Sequence, residues 1–227
     1  MSRHKRLDVY LRMRQVGLVP LFHNSDSAVA IEITKASLAG GATVLEFTNR
    51  GDHSLGVFTE LEKFLAKNHP EVMLGVGTIV DAPTAALYIA AGAAFVVSPS
   101  LDDETAVLCN KRKIPYLPGC GSATEIQRAH ALGVEVCKVF PGKEVGGPGF
   151  VKNVMAPLAW ADLLASGGVK ADKENIREWL AAGTACLGMG SDLYKADWIK
   201  AKDWGAVTAA VKQVLAWVQE VRAELKK

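Results

Sequence analysis

No uncharged apolar run in this chain is long enough to cross a bilayer. The longest, Ala85 to Val97, has thirteen residues with Gly92 inside it, against the roughly 20 that a spanning helix needs. It reads instead as the end of one helix and the strand that follows. Charge of one sign is also missing: 26 Lys and Arg against 24 Asp and Glu leave a formal net charge of +2. So balanced a composition supplies no broad basic face, which argues against nucleic acid or an acidic membrane as partner. Cysteine is sparse, with four residues at 109, 120, 137 and 186, and no two have the C-x-x-C spacing of a zinc or redox site. The histidines at 4, 23, 53, 69 and 130 show neither H-x-H nor H-E-x-x-H spacing, so no metal is expected and no cofactor. No segment joins low hydrophobicity to high charge, which sets disorder aside. The opening Met1-Ser2-Arg3-His4-Lys5-Arg6 runs directly into Leu7-Asp8-Val9-Tyr10-Leu11 without an apolar signal core. The expected location is cytoplasmic.

What is present is a regular alternation. In 227 residues, 49% hydrophobic and 22% charged, β-rich runs recur with starts 20 to 29 residues apart. The pattern predicts strands over 18–22, 43–48, 72–77, 94–98, 114–117, 134–139, 161–165 and 184–187. Helices are predicted between them, over 28–39, 54–67, 83–91, 103–112, 123–132, 149–156 and 173–181. Gly40, Gly92, Gly133 and Gly183 stand where left-handed helix ends are expected. Val207, Val211, Val214, Val218, Val221 and Leu225 step by three and four, which draws one apolar stripe on a last helix. A helix over about 4–15 precedes the first strand and is placed to close the bottom of a barrel. Eight strand–helix units predict an α/β fold, a (β/α)8 TIM barrel with an extra N-terminal helix. The competing open sheet would want a glycine-rich turn after the first strand, and 22–27 contain no glycine. A single domain over 1–227 is expected, with the barrel core over 17–193 and C-terminal helices over 194–227.

Barrel enzymes place their chemistry at the C-terminal ends of the strands. In the second predicted strand, Val44, Glu46 and Thr48 share one face, while Leu45 and Phe47 face the helices. Glu46 therefore points inward. In the sixth, Val136, Lys138 and Phe140 share the inner face, with Cys137 and Val139 outside. Alternate strands fill common layers, so Glu46 and Lys138 can meet across the barrel mouth. Two readings stand side by side. One is a buried ion pair, or a lysine that snorkels to the rim. The other is an amine nucleophile, since a desolvated lysine loses proton affinity and can attack a carbonyl, with Glu46 as proton shuttle.

Leu45-Glu46-Phe47-Thr48-Asn49-Arg50, Gly75-Val76-Gly77-Thr78, Ser98-Pro99, Pro118-Gly119 and Lys138-Val139-Phe140-Pro141-Gly142 occur in that order, at strand ends. In this ordered set, over roughly residues 17 to 193, the chain resembles the 2-keto-3-deoxy-6-phosphogluconate (KDPG) and 4-hydroxy-2-oxoglutarate (KHG) aldolase family. The resemblance implies a class I, Schiff-base aldolase on a (β/α)8 barrel, assembled as a homotrimer. It acts on a keto acid to release pyruvate. Lys138 would be the Schiff-base lysine and Glu46 the general acid/base. Arg50 and Thr78 would hold the pyruvate carboxylate, and Phe140 would wall the pocket. Ser166, Gly167, Gly168, Gly190 and Ser191 match the segments that hold the distal phosphate.

Some of these residues also carry structural readings. Thr78-x-x-Asp81 and Ser122-x-x-Glu125 are capping-box patterns. Gly188-Met189-Gly190-Ser191 can equally be a turn ending in an N-cap serine. The chain departs from the family at two points. Ala165-Ser166-Gly167-Gly168 stands where Pro-Thr-Gly-Gly is common, and His23 stands where a phosphate-holding arginine commonly ends the first strand. Those departures leave KHG open as a substrate beside KDPG. A phosphate-binding barrel isomerase or synthase, or a non-catalytic barrel that binds a keto acid or sugar phosphate, are the alternatives to an aldolase.

Overall fold

The computed structural model describes residues 2–226. Helix α1 (Arg6–Val16) opens the chain, followed by β1 (Leu18–Phe22), α2 (Ser27–Ala39), β2 (Val44–Thr48), α3 (Ser54–Asn68) and β3 (Met73–Gly77). Then come α4 (Ala82–Ala90), β4 (Val96–Val97), α5 (Asp103–Arg112), β5 (Tyr116–Leu117), β6 (Gly119–Cys120) and α6 (Ala123–Ala131). The remainder is β7 (Val136–Val139), α7 (Gly147–Met155), β8 (Asp162–Ser166), α8 (Lys173–Ala181), β9 (Cys186–Met189), the short α9 (Ala196–Ala201) and α10 (Trp204–Leu225).

All strand pairs are parallel, in the order β5-β4-β3-β2-β1-β9-β8-β7-β6. The first and last of that order are two halves of one stave. Tyr116 and Leu117 pair with β4, whereas Gly119 and Cys120 pair with β7. Pro118 lies between them and has no N–H for a ladder; it ends the predicted fifth strand at Leu117, and Gly119–Cys120 beyond it forms a further short strand that the sequence reading did not include. Its carbonyl still accepts from Lys138 N at 2.9 Å, and Gly119 N donates to Ser98 O at 3.0 Å. The expected eight-stave barrel closes through this kink. Gly119 is required there, since a Cβ would stand 2.0 Å from the Pro99 carbonyl oxygen.

Helix starts follow from short acceptors in the sequence. Asp26, Asp81, Asp102, Ser122, Asp172 and Asp203 each accept from a first-turn N–H. Ser122 caps α6 as expected, accepting from Glu125 N at 3.2 Å, while Glu125 reaches one residue past the cap and accepts from Gly121 N at 2.8 Å. The Thr78–Asp81 box does not. Asp81 is itself the cap of α4, accepting from Thr84 N at 2.7 Å, so Thr78 is left out of the cap. Gly92, Gly133 and Gly183 are left-handed as expected, but Gly40 has φ −76° and Gly41 takes the positive φ instead.

Apolar residues divide between two cores by strand parity. Leu45, Phe47, Cys137 and Val139 pack between barrel and helices. Val44, Val136, Leu164 and Phe95 fill the barrel interior, together with Val9, Tyr10 and Met13 of α1. The N-terminal helix thus plugs the bottom of the barrel. In α10, Val207, Val211, Val214, Val218 and Val221 are buried, whereas Leu225, expected on the same stripe, is exposed. It is the last residue of its helix.

Candidate active site

Glu46 on β2 is 2% exposed and Lys138 on β7 is 7% exposed. Both point into the barrel, as the two-residue period required. Two glycines on β3 make that possible. A Cβ at Gly77 would lie 1.8 Å from Glu46 Oε1, and one at Gly75 would lie 2.3 Å from the Phe95 ring. The carboxylate therefore lies over Gly77. Glu46 and Lys138 make no direct ion pair, having no N···O contact within 4.0 Å, yet each charge is felt by the other.

Burial dominates the electrostatics of both groups. It raises the Glu46 pKa above the ordinary carboxylate value, with the positive charges of Lys138 and Arg50 opposing. It lowers the Lys138 pKa, with Glu46 opposing and Arg50 adding to the effect. Each group is thereby moved toward its neutral form: an acid able to hold a proton and an amine able to lose one. Lys138 Nζ also lies 4.7 Å from the centroid of the Phe140 ring. Phe140 therefore flanks the amine.

Around this pair, the other expected residues fall into separate groups. Thr78 follows β3 at φ +61°, a left-handed conformation that a β-branched residue adopts only under constraint. No cap accounts for it. Arg50 is exposed at the end of β2, near enough to act electrostatically on both Glu46 and Lys138. His23, Arg50, Gly190 and Ser191 line one cleft of about 270 Å³ at the C-terminal ends of β1, β2 and β9. His23 donates from Nδ1 to Thr48 O at 3.1 Å and packs on Phe47, ring centroids 5.6 Å apart.

Ser166 is buried at the end of β8 beside Gly188. Gly167 and Gly168, both at φ +86°, do not line that cleft; they pack against Pro141, Gly142 and Lys143 in the loop after β7. Gly142 N and Lys143 N donate to Ser166 O and Gly167 O at 2.8 and 2.9 Å. Ser191 is not an N-cap. It lies in a turn where Leu193 N and Tyr194 N donate to Gly190 O, and the next helix begins after Lys195.

Three polar cleft residues were missed in reading the sequence: Asn24, Thr48 and Tyr194. Thr48 carried a usable signal, since it shares the inner face of β2 with Glu46. Tyr194 sits in an irregular turn, where periodicity offers none. A larger cavity, about 790 Å³, opens on the opposite face around the start of α1 and includes neither Glu46 nor Lys138.

The family model described as KDPG and KHG aldolase matches residues 9–210. A 2-dehydro-3-deoxy-phosphogluconate aldolase of Pseudoalteromonas atlantica is 32% identical, over 89% of this chain and 91% of the relative. One from Pseudomonas aeruginosa is 31% identical, over 92% of each. Among solved structures, the KDPG aldolase of Legionella pneumophila holds pyruvate captured as a covalent carbinolamine. It superposes with a TM-score of 0.80 at 25% identity, over 87% of this chain and 93% of that one. A 2-keto-3-deoxy-6-phospho-gluconate aldolase of Zymomonas mobilis gives 0.81 at 26%, over 92% and 96%. Related along nearly its whole length at about the same barrel geometry, the chain belongs to the KDPG and KHG aldolase family.

Proposed function

We propose that this chain is a class I aldolase, a carbon–carbon lyase that cleaves a 2-keto-4-hydroxy acid to pyruvate and an aldehyde. One observation carries the reading: a lysine buried inside the barrel, depressed in proton affinity and not quenched by a direct ion pair. Such an amine is a nucleophile for a carbonyl. Lys138 attacks C2 of the substrate, and loss of water leaves a protonated imine. Glu46, acting across a water, removes the C4 hydroxyl proton. The C3–C4 bond breaks, its electron pair moves to the iminium nitrogen, and the aldehyde leaves. The enamine then takes a proton at C3 from Glu46, and hydrolysis frees pyruvate and the amine.

Arg50 and Thr78 hold the carboxylate, for which the guanidinium fork suits a bidentate contact. Phe140 excludes water from the amine. The distal end comprises the cleft of His23, Gly190 and Ser191 together with Ser166 and the Gly167–Gly168 turn, which lie outside that cleft. The relatives' names point to KDPG as substrate, with glyceraldehyde 3-phosphate as the aldehyde. Several are named for KHG as well, for which the aldehyde is glyoxylate.

No helix among the described residues is long and apolar enough to cross a membrane, and we place the enzyme in the cytoplasm. The assembly we propose is a homotrimer. The apolar Val80, Leu87 and Val107, exposed on or beside α4 and α5, supply surface for it. Borohydride reduction in the presence of pyruvate, followed by peptide mass spectrometry, tests the chemistry. The expected result is a reduced adduct on Lys138 that disappears in Lys138→Ala; a folded protein with no adduct removes the Schiff-base assignment.

A further inference from the structure

The cleft beside Arg50 has a chemistry of its own. Its rim carries His23, Asn24 and Ser191, and its floor is formed by Phe22, Ile33, Ile199 and the ring of Tyr194. The Tyr194 hydroxyl is turned away. Ser37 gives its hydrogen to Ile33 O at 2.8 Å, so at 2.8 Å from Ser37 Oγ the tyrosine must be the donor. Of the residues lining the cleft, only Arg50 carries a fixed positive charge. If Arg50 holds the keto-acid carboxylate, no fixed cation remains for a second anion.

Of the other polar residues there, Asn24, Thr48, Ser191 and His23, the histidine is set by its hydrogen bond. A carbonyl oxygen can only accept, so the contact from His23 Nδ1 to Thr48 O places a hydrogen on Nδ1. The ring is further held by its packing on Phe47. In the neutral imidazole, Nε2 is then a bare acceptor, and its lone pair is the polar atom His23 has left to offer. A phosphate dianion presents acceptors to it, so the ring can bind one only by taking up a proton on Nε2. A hydroxyl presents a hydrogen, which completes the pair. Placing a dianion over an apolar floor adds an uncompensated desolvation cost, which an uncharged end avoids.

We infer that His23 is a specificity-determining residue, which opens the distal cleft to an uncharged, hydroxyl-bearing end. On this inference the chain cleaves the unphosphorylated 2-keto-4-hydroxy acid about as readily as its phosphate monoester. This rests on the aldolase reading above.

The test compares kcat/KM for 2-keto-3-deoxygluconate and for its 6-phosphate, with pyruvate trapping on Lys138 run alongside. A ratio for one preparation is insensitive to the fraction folded. The expected wild-type preference for phosphate is below about tenfold, and His23→Arg raises it by about tenfold or more, since a charged hydrogen bond is gained. His23→Phe keeps the ring on Phe47 but removes Nε2, and should move the ratio against the hydroxyl-ended substrate by about threefold or more. This second variant serves should the arginine disturb folding. With trapping intact, a larger wild-type preference for phosphate, or variant ratios equal to wild type, overturns the inference and leaves the aldolase standing. Absent trapping overturns both.

Discussion

Lys138 and Glu46 show how a residue can be selected against stability. The unfolded lysine binds more protons than the folded one between its lowered folded value and the ordinary 10.5, so in that window stability rises with pH. For Glu46 the folded state holds the extra proton between 4.5 and its raised value, so there stability falls as pH rises. Both groups therefore cost the fold free energy when charged. Replacing them together, Glu46→Gln with Lys138→Met, should stabilise the protein by about 1–4 kcal/mol near neutral pH and flatten both slopes. Urea denaturation across a pH series measures this; a double variant less stable than the parent would mean the two groups support the fold. The inward direction of both side chains was legible from strand period. Their separation was not, because it depends on the barrel's diameter and on the space that Gly77 leaves for a carboxylate.

At the scale of elements, the glycine that ends α2 and the one inside α3 act in opposite ways. Gly40 has a backbone any residue can adopt, but a Cβ there would lie 2.8 Å from both Thr208 O and Val211 Cβ of α10. Gly40→Ala is expected to lose about 1–3 kcal/mol through overpacking. Gly56, inside α3, faces nothing within 4 Å, and Gly56→Ala should gain about 0.5–1 kcal/mol from helix preference. Denaturation midpoints of the pair decide the matter; equal shifts would show that α2 and α10 separate at no cost. The sequence marked Gly40 as the end of a helix, which it is. The reason for glycine lies in a helix far along the chain, which local pattern does not reach. Pro118 is similar: its missing N–H was visible, but only the two neighbouring staves reveal that the strand exchanges partners there.

For the molecule as a whole, the open question of assembly turns on surface. Val80, Leu87 and Val107 are 60%, 56% and 43% exposed on neighbouring elements, an apolar face that a trimer would cover. Sedimentation equilibrium is expected to give three times the 24.2 kDa subunit mass, and Leu87→Glu should shift the population toward monomer. A monomeric wild type would end the trimer proposal. A trimeric Leu87→Glu would move the interface to another face.

Local pattern by itself determined the alternation of strands and helices, the helix cap at Ser122, and the inner faces of β2 and β7. Each depends on backbone geometry and neighbours a few residues away. Tertiary structure alone decided three further things: that Pro118 splits a stave, that Thr78 is strained rather than a cap, and that His23 joins Gly190 and Ser191 in one cleft while Gly167 and Gly168 stand apart. Closing a barrel brings the first strand beside the last, and no spacing along the chain encodes which side chains then share a wall.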